Sequence, residues 1–248
     1  MLDKHQLDRF GPLGFNLAQK EKDYAQYWIL SFLAQSGFFG IFKGGTCLQK
    51  AYNLPRYSED LDFTLNEAQL PDQNLLAKFL SSAGLTGVTF TWLDGEISSA
   101  VKVHFRGPLY SGKPISEGSV RLEFSKRETT LKKPFPVTIS APYPDILPFQ
   151  FNVMDKGEIA AEKIRAILTR ASARDLFDLY FILHGRTSLD LSLINKKLAG
   201  YQIKFNYADF SVRVNSLKGI WAKEISALTP NYLEFKLVSE AVLEKTQI

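Results

Sequence analysis

The chain has 248 residues, of which 45% are hydrophobic and 23% are charged, as in an ordinary globular protein of one or two domains. Its single cysteine, Cys47, excludes an internal disulfide framework and fits a reducing cytosol. No apolar run reaches the length of a membrane span, and the first residues lack a signal-peptide pattern. We therefore predict a soluble, cytoplasmic protein that does not act at a membrane. The net charge of +4 is compatible with a polyanionic partner but does not require one.

The hydrophobic pattern predicts an N-terminal region of mixed helices and strands and a C-terminal region made only of helices. Residues 1–14 show no regular pattern, and the proline-rich residues 134–148 are interpreted as the linker out of the α/β region. The predicted helices of the first region cover residues 16–35, 46–52 and 71–84, and its predicted strands cover residues 38–42, 60–65, 88–93, 100–105, 119–124 and 137–140. The predicted helices of the second region cover residues 156–171, 174–184, 191–198, 208–228 and 233–245.

Two adjacent glycines, Gly44 and Gly45, lie between the first predicted core strand and the short helix that follows it. Because glycine has no Cβ, backbone N–H groups at such a junction can approach a bulky anion. The N-terminus of the following helix adds partial positive charge and unused N–H donors, and Thr46 adds a hydroxyl. The pattern predicts a cradle for phosphate groups, with a simple turn as the alternative.

Two acidic residues, Asp60 and Asp62, follow about a dozen residues later on a predicted strand. Side chains two apart on a strand point to the same face, so the two carboxylates are predicted to lie side by side. Such a pair is costly unless a cation lies between its members, and Mg²⁺ binds carboxylate oxygens together with substrate phosphates. A solvated strand edge is the alternative. A phosphate cradle followed by a metal platform suggests nucleotide chemistry.

A third carboxylate is expected on a separate strand, because two-metal nucleotidyl transfer needs bridging carboxylates and one group near the attacking hydroxyl. Glu123 supplies it on the predicted strand 119–124, which we expect beside the strand that carries Asp62. The alternative is a surface glutamate paired with Arg121 or Arg127.

A second group of candidates lies in the helical region. Lys163 is on the flank of an apolar helix stripe, where a lysine can either extend to solvent or reach a cleft and neutralise phosphates. Asp175 and Asp178 share one face of the next predicted helix. Asp175 and Ser172 also match a capping box, whereas Asp178 has no such explanation and could orient Lys163 or a substrate base or ribose.

The order Gly-Gly-Thr, short helix, Asp-Leu-Asp resembles the DNA-polymerase-β-like nucleotidyltransferase superfamily. Residues 42–48 and 56–62 more narrowly resemble the AbiEii/AbiGii nucleotidyltransferase toxin family, and residues 162–166 and 174–180 resemble its downstream motifs. The resemblance implies an α+β fold: a polymerase-β-like mixed sheet with flanking helices, followed by a C-terminal helical domain. We accordingly predict an α/β domain over residues 1–150 and a helical domain over residues 151–248 that completes the active-site cleft.

The resemblance also implies a function and its residues. A hydroxyl acceptor, such as the 3′ end of a tRNA, would attack the α-phosphate of a nucleoside triphosphate in the presence of Mg²⁺ or Mn²⁺, and a cognate antitoxin would be a partner. The predicted metal ligands are Asp60, Asp62 and Glu123. The predicted catalytic residues are these three together with Lys163 and Asp178, and the predicted nucleotide contacts are Gly44, Gly45, Thr46, Ser58, Lys163 and Asp175.

Other interpretations remain open at this point. Ser58 and Tyr57 lie beside the acidic pair and could offer accessible hydroxyls for modification, or Ser58 could be an ordinary strand residue. A basic cluster after Glu123 could contact the phosphates of a nucleic acid or simply solubilise the surface; it consists of Lys126, Arg127, Lys132 and Lys133. Two rival functions are a catalytically weak or inactive protein that binds a nucleotide or partner, and a kinase-like phosphoryl transferase.

Overall fold

A computed structural model of the chain describes residues 1–65, 70–95, 98–126, 129–185 and 187–247. These residues form two compact units, and each unit is assembled from more than one chain segment. The first unit comprises Met1–Asn53, Tyr57–Thr130 and Pro134–Val153. The second unit comprises Leu54–Arg56, Leu131–Lys133 and Met154–Ile248.

The helices described in the first unit are α1 (Lys4–Phe10), α2 (Leu17–Gln35), α3 (Gly44–Tyr52) and α4 (Gln73–Ser82). Capping boxes begin the first two of them, with Asp3 and Gln6 at α1 and Asn16 and Gln19 at α2. The expectation of no regular structure over residues 1–14 is wrong, because α1 lies there. This helix has seven residues and buries only Leu7, so it offers almost no apolar periodicity to detect.

The strands are β1 (Ile41–Lys43), β2 (Leu61–Thr64), β3 (Thr86–Asp94), β4 (Ser98–Arg106), β5 (Gly118–Ser125), β6 (Phe135–Ile139) and β7 (Phe149–Val153). Within the described residues they form one mixed sheet in the order β3-β4-β5-β2-β1-β7-β6. Strand β2 is antiparallel to β1 and parallel to β5, and β1 is parallel to β7. The strand predicted over residues 137–140 is β6, but the interpretation of residues 134–148 as a linker is wrong, because Pro134–Val153 belongs to the first unit and also contains β7, which the sequence analysis did not predict.

An aromatic cluster on one face of the sheet holds the central strands together. The ring of Phe63 on β2 lies 5.5 Å from Phe42, 5.6 Å from Phe124 and 5.9 Å from Phe151, measured between centroids. Such ring pairs add about 0.5–1.5 kcal/mol each beyond the burial of their area. Since neighbouring residues on a strand point to opposite faces, this packing directs Asp62 away from the aromatic core.

The second unit is helical in its described residues, with α5 (Lys156–Thr169), α6 (Ala173–His184), α7 (Leu191–Ala199), α8 (Tyr207–Ser216), α9 (Lys218–Ser226) and α10 (Phe235–Lys245). The single helix predicted over residues 208–228 is two helices, with Leu217 between them. The predicted fold class, a mixed sheet with flanking helices plus a helical C-terminal region, is confirmed. No helix in the described ranges combines the length and hydrophobicity that a membrane span needs.

Candidate active site

The glycine motif and the acidic motif meet at one point in the first unit. Gly44, at the start of α3, has a φ of +74°, in the left-handed region that favours glycine. A Cβ on Gly44 would overlap the Oδ2 atom of Asp62. Lys43, the residue before it, is the Cα partner of Asp62 across β1 and β2. Both the backbone conformation and the nearby carboxylate therefore favour glycine at position 44.

The backbone that leads to the acidic pair is held by two buried side chains. The Nε2 atom of Gln26 on α2 donates to the carbonyl oxygens of Ser58, at 3.0 Å, and Glu59, at 2.7 Å. The hydroxyl of Thr46 donates a short hydrogen bond to the carbonyl oxygen of Asp60. Thr46, a predicted phosphate contact, thus contacts the acidic stretch in this structure.

Gln26 was not among the residues selected from the sequence. The available signal is a glutamine within the wide apolar stripe of α2, where Tyr24, Tyr27 and Leu30 are buried around it. A buried amide needs hydrogen-bond partners, so a glutamine at such a position indicates a nearby polar backbone.

The strand that carries Glu123 lies beside β2, as predicted, with Asp62 and Glu123 as Cα partners in a parallel pair. Parallel partners point to the same side of the sheet, so the two carboxylates share a face. The Oε2 atom of Glu123 also lies 3.4 Å from Nη2 of Arg121, and both side chains are about two-fifths exposed. The structure therefore contains the Arg121 pairing that was considered as the alternative, together with the neighbouring position needed for a third carboxylate.

The predicted metal ligands carry the type of donor atom that a hard divalent cation prefers. Asp60 is exposed and Asp62 is half-buried, and their carboxylate oxygens are the donors that Mg²⁺ and Mn²⁺ prefer. Across the described ranges, no three Asp, Glu, His or Cys side chains are grouped closely enough to hold a metal ion. Asp60, Asp62 and Glu123 fit the cation by donor type, and Asp62 and Glu123 lie on adjacent strands, but Asp60 precedes β2 and the three described side chains are not gathered into a three-carboxylate centre. Their role as ligands stays a prediction.

The other residues near the acidic pair have mixed outcomes. Ser58 is half-buried and its carbonyl accepts from Gln26. Tyr57 is only 2% exposed, so the prediction of an accessible hydroxyl at this residue is wrong. Gly45 is buried in the first turn of α3.

In the second unit, the helical candidates form a buried ionic cluster. The Nζ atom of Lys163 on α5 lies 2.7 Å from Oδ2 of Asp178 and 3.0 Å from Oδ1 of Asp175. Arg56 donates to both oxygens of Asp178, from Nε at 2.6 Å and from Nη2 at 2.7 Å. Arg170 donates to both oxygens of Asp175, at 2.8 and 3.0 Å. Lys163 does not extend to solvent, and the sequence analysis missed the pairing of Arg56 with Asp178.

The capping-box alternative for Asp175 is wrong, because the side chain of Ser172 makes no capping hydrogen bond at the start of α6. Glu224 accepts instead from the backbone N–H of Ala173 at 2.9 Å. The carboxylate of Asp175 is consequently available to the ionic cluster.

The ionic cluster favours the charged forms of Asp175 and Lys163. Burial raises the pKa of Asp175, but Lys163 and Arg170 outweigh burial and hold this pKa well below its usual range. Burial also lowers the pKa of Lys163, but Asp178 and Asp175 outweigh it, so the pKa of the ammonium group is raised. The cluster is thus a set of three cations and two carboxylates stabilised by direct pairing.

Acid should weaken the second unit through Asp175. A carboxyl with a pKa lowered by folding stabilises the native state above its unfolded pKa of about 3.9, and this contribution is lost as the pH falls through the folded pKa. We expect the free energy of unfolding of the wild type to fall more steeply below about pH 4 than that of Asp175→Asn. Urea titrations between neutral and acidic pH measure both slopes, and equal slopes would contradict the prediction.

The predicted basic cluster is only partly described. Lys126, Lys132 and Lys133 are all exposed; Lys132 also pairs with Asp155 at 2.9 Å, and its backbone N–H donates to Glu158. Arg127 lies outside the described residues. Nucleic-acid binding by these residues stays a prediction.

Comparison with known proteins identifies the family to which the chain belongs. The model of a nucleotidyltransferase family, the AbiEii toxins of type IV toxin–antitoxin systems, matches residues 30–243. MenT4, a nucleotidyltransferase toxin from Mycobacterium tuberculosis H37Rv, is similar in structure with a TM-score of 0.67 and 21% identity, covering 100% of this chain and 89% of its own. JHP933 from Helicobacter pylori has a TM-score of 0.62 and 19% identity, covering 100% of this chain and 92% of its own. At these identities the structures show a shared fold.

No curated protein sequence matches the chain. The family model nevertheless covers most of it, including both the glycine and acidic motifs and the ionic cluster. The protein therefore belongs to the AbiEii family and is a nucleotidyltransferase toxin of a type IV toxin–antitoxin system.

Proposed function

We propose that the protein transfers a nucleotidyl group from a nucleoside triphosphate to a hydroxyl of an RNA, such as the 3′ end of a tRNA, with Mg²⁺ or Mn²⁺. The observation that carries the proposal is the contact between Gly44 and Asp62, which joins the predicted phosphate cradle to the predicted metal platform. Family membership supports a triphosphate substrate, a divalent metal and an antitoxin partner.

We propose different roles for the candidate residues of the first unit. Asp60 and Asp62 would hold the cation, and Gly44 and Gly45 would present backbone N–H groups to the β- and γ-phosphates, with Ser58 as a further nucleotide contact. When bound, the metal neutralises phosphate charge and lowers the pKa of the attacking hydroxyl. Glu123 would accept the proton of that hydroxyl after leaving its contact with Arg121.

The transfer itself forms one bond and breaks another. The acceptor oxygen attacks the α-phosphorus, and the bond from that phosphorus to the bridging oxygen of the β-phosphate breaks, so pyrophosphate leaves. We further propose that Lys163, Asp175 and Asp178 are required for this activity, as the resemblance implies. Asp178 pairs with the buried Arg56 and Asp175 with the more exposed Arg170, so changing one residue of the ionic cluster affects the others.

Radioactive transfer tests this proposal directly. The protein is incubated with each α-³²P-labelled triphosphate, Mg²⁺ and total tRNA, and label is expected in the tRNA. Asp60→Ala should reduce labelling by about 100-fold or more, because one of the two proposed metal carboxylates is removed. Glu59→Ala is the matched control, since Glu59 is an exposed acid directly beside Asp60.

Two outcomes would contradict the proposal. Transfer of label from γ-³²P substrates alone would indicate phosphoryl transfer. Full labelling of tRNA by Asp60→Ala would show that the reaction does not require the acidic pair.

A further inference from the structure

We infer that Gln26 and Thr46 are positioning residues that hold the backbone of residues 58–60 and thereby set Asp60 and Asp62 for metal binding, and that Thr46 does not contact the phosphates. The inference rests on the proposed function and deepens it. It assigns Gln26 a role for the first time and changes the role expected of Thr46.

The donor hydrogens of both side chains are already used. The amide nitrogen of Gln26 has two hydrogens, and they go to the carbonyl oxygens of Ser58 and Glu59. The hydroxyl of Thr46 has one hydrogen, and it goes to the carbonyl oxygen of Asp60. Three consecutive carbonyl groups are thus bound by two side chains, and neither side chain retains a hydrogen for a phosphate oxygen.

The side chains of Gln26 and Thr46 are both fully buried and belong to different helices. Gln26 and Thr46 each have 0% exposure, so their hydrogen bonds are shielded from competition by water. Gln26 comes from α2 and Thr46 from the first turn of α3, so two separate helices hold one short segment. Breaking either contact would leave a buried polar group without its partner.

The segment needs this support because it lies outside the sheet. Strand β2 begins at Leu61, so residues 58–60 precede the paired registers of β2 with β1 and β5. Carboxylates two apart point the same way only while the backbone between them stays extended. Asp62 lies on β2 beside Gly44, and Asp60 lies in the segment whose carbonyl groups accept from Gln26 and Thr46.

Manganese binding without nucleotide tests the inference apart from catalysis. Electron paramagnetic resonance of added Mn²⁺ measures the free metal and hence its affinity for the protein. We expect Thr46→Val and Gln26→Leu each to weaken Mn²⁺ binding by about 10-fold or more, as residues that orient metal ligands do. Thr46→Ser retains the hydroxyl and should restore near wild-type binding.

Two matched controls separate positioning from general destabilisation. Thr64→Val removes a buried hydroxyl on β2 that has no hydrogen-bond partner in the described structure. Gln49→Leu removes an amide that donates to Asp23 instead of to the acidic stretch. Both controls should keep wild-type Mn²⁺ affinity, while thermal unfolding reports any common loss of stability.

Steady-state kinetics then distinguish the two roles of Thr46. At saturating metal, a positioning role predicts a lower kcat with KM for the triphosphate nearly unchanged. A 10-fold higher KM in Thr46→Val with unchanged Mn²⁺ affinity would overturn the inference and favour phosphate binding by Thr46. A wild type that binds no Mn²⁺ would also overturn the inference. A wild type that binds Mn²⁺ but transfers no nucleotide would overturn the proposed function, while the Mn²⁺ measurements would still decide the inference.

Discussion

Gly44→Ala is expected to reduce nucleotidyl transfer by about 100-fold or more, because even a displacement of about 1 Å at a reacting group can have that effect. The new methyl group would overlap Oδ2 of Asp62, so the carboxylate must move. Alanine at the φ of +74° would add about 1–2 kcal/mol of backbone strain. Transfer to RNA and the affinity for Mn²⁺ measure the first effect, and thermal unfolding measures the second.

Gly37→Ala separates these two causes. Gly37 has a φ of +71°, close to that of Gly44, but a Cβ there would meet nothing within 4 Å. The Gly37→Ala variant should therefore lose about as much stability as Gly44→Ala but keep wild-type nucleotidyl transfer and wild-type Mn²⁺ affinity. Equal activity losses in the two variants would show that backbone strain, not the displaced carboxylate, is responsible.

Asp178→Ala is expected to lower the free energy of unfolding by about 3–5 kcal/mol, the usual result when one partner of a buried ion pair is removed. The change would leave the buried guanidinium of Arg56 without its bidentate partner and Lys163 with Asp175 alone. Urea unfolding of the second unit can be followed by the fluorescence of Trp221 when Trp28 and Trp92, which belong to the first unit, are replaced by phenylalanine in every variant compared.

An exposed pair is the control for this prediction. Glu117 lies 2.9 Å from Arg106, but both side chains are substantially exposed, so Glu117→Ala should change stability little. Replacing Arg56 and Asp178 together by leucine should cost less than Asp178→Ala, because no charge of that pair is left buried alone. A loss from Asp178→Ala as small as that from Glu117→Ala would contradict the prediction.

The parts of the fold that could be predicted depend on short-range patterns. Gly44, Gly45, Asp60 and Asp62 lie within residues 44–62, which carry the family signature, and the strand expected to carry Glu123 does lie beside β2. Strand β7 also alternates between buried and exposed residues, but the prolines just before it favoured a linker interpretation. The sequence of β7 thus contained a strand pattern, but the prolines before it led to the linker interpretation.

The contacts that could not be predicted join residues that are far apart in the chain. Arg56 and Asp178 are separated by 122 positions, and Gln26 and Glu59 by 33. Neither pair has a local spacing that reveals its partner, because each depends on how whole elements pack. Sequence patterns selected Lys163 and Asp178 as candidates, whereas only the packed structure shows that Arg56 pairs with Asp178.

The assignment of Leu54–Arg56 to the second unit has a consequence for how the protein is made. This segment is translated early, but its partners come much later: Asp178 pairs with Arg56, and Thr229 donates to the carbonyl of Pro55 at 2.7 Å. The helical unit therefore cannot be finished on the ribosome until almost the whole chain has emerged. We expect chains that terminate before Thr229 to lack a complete helical unit.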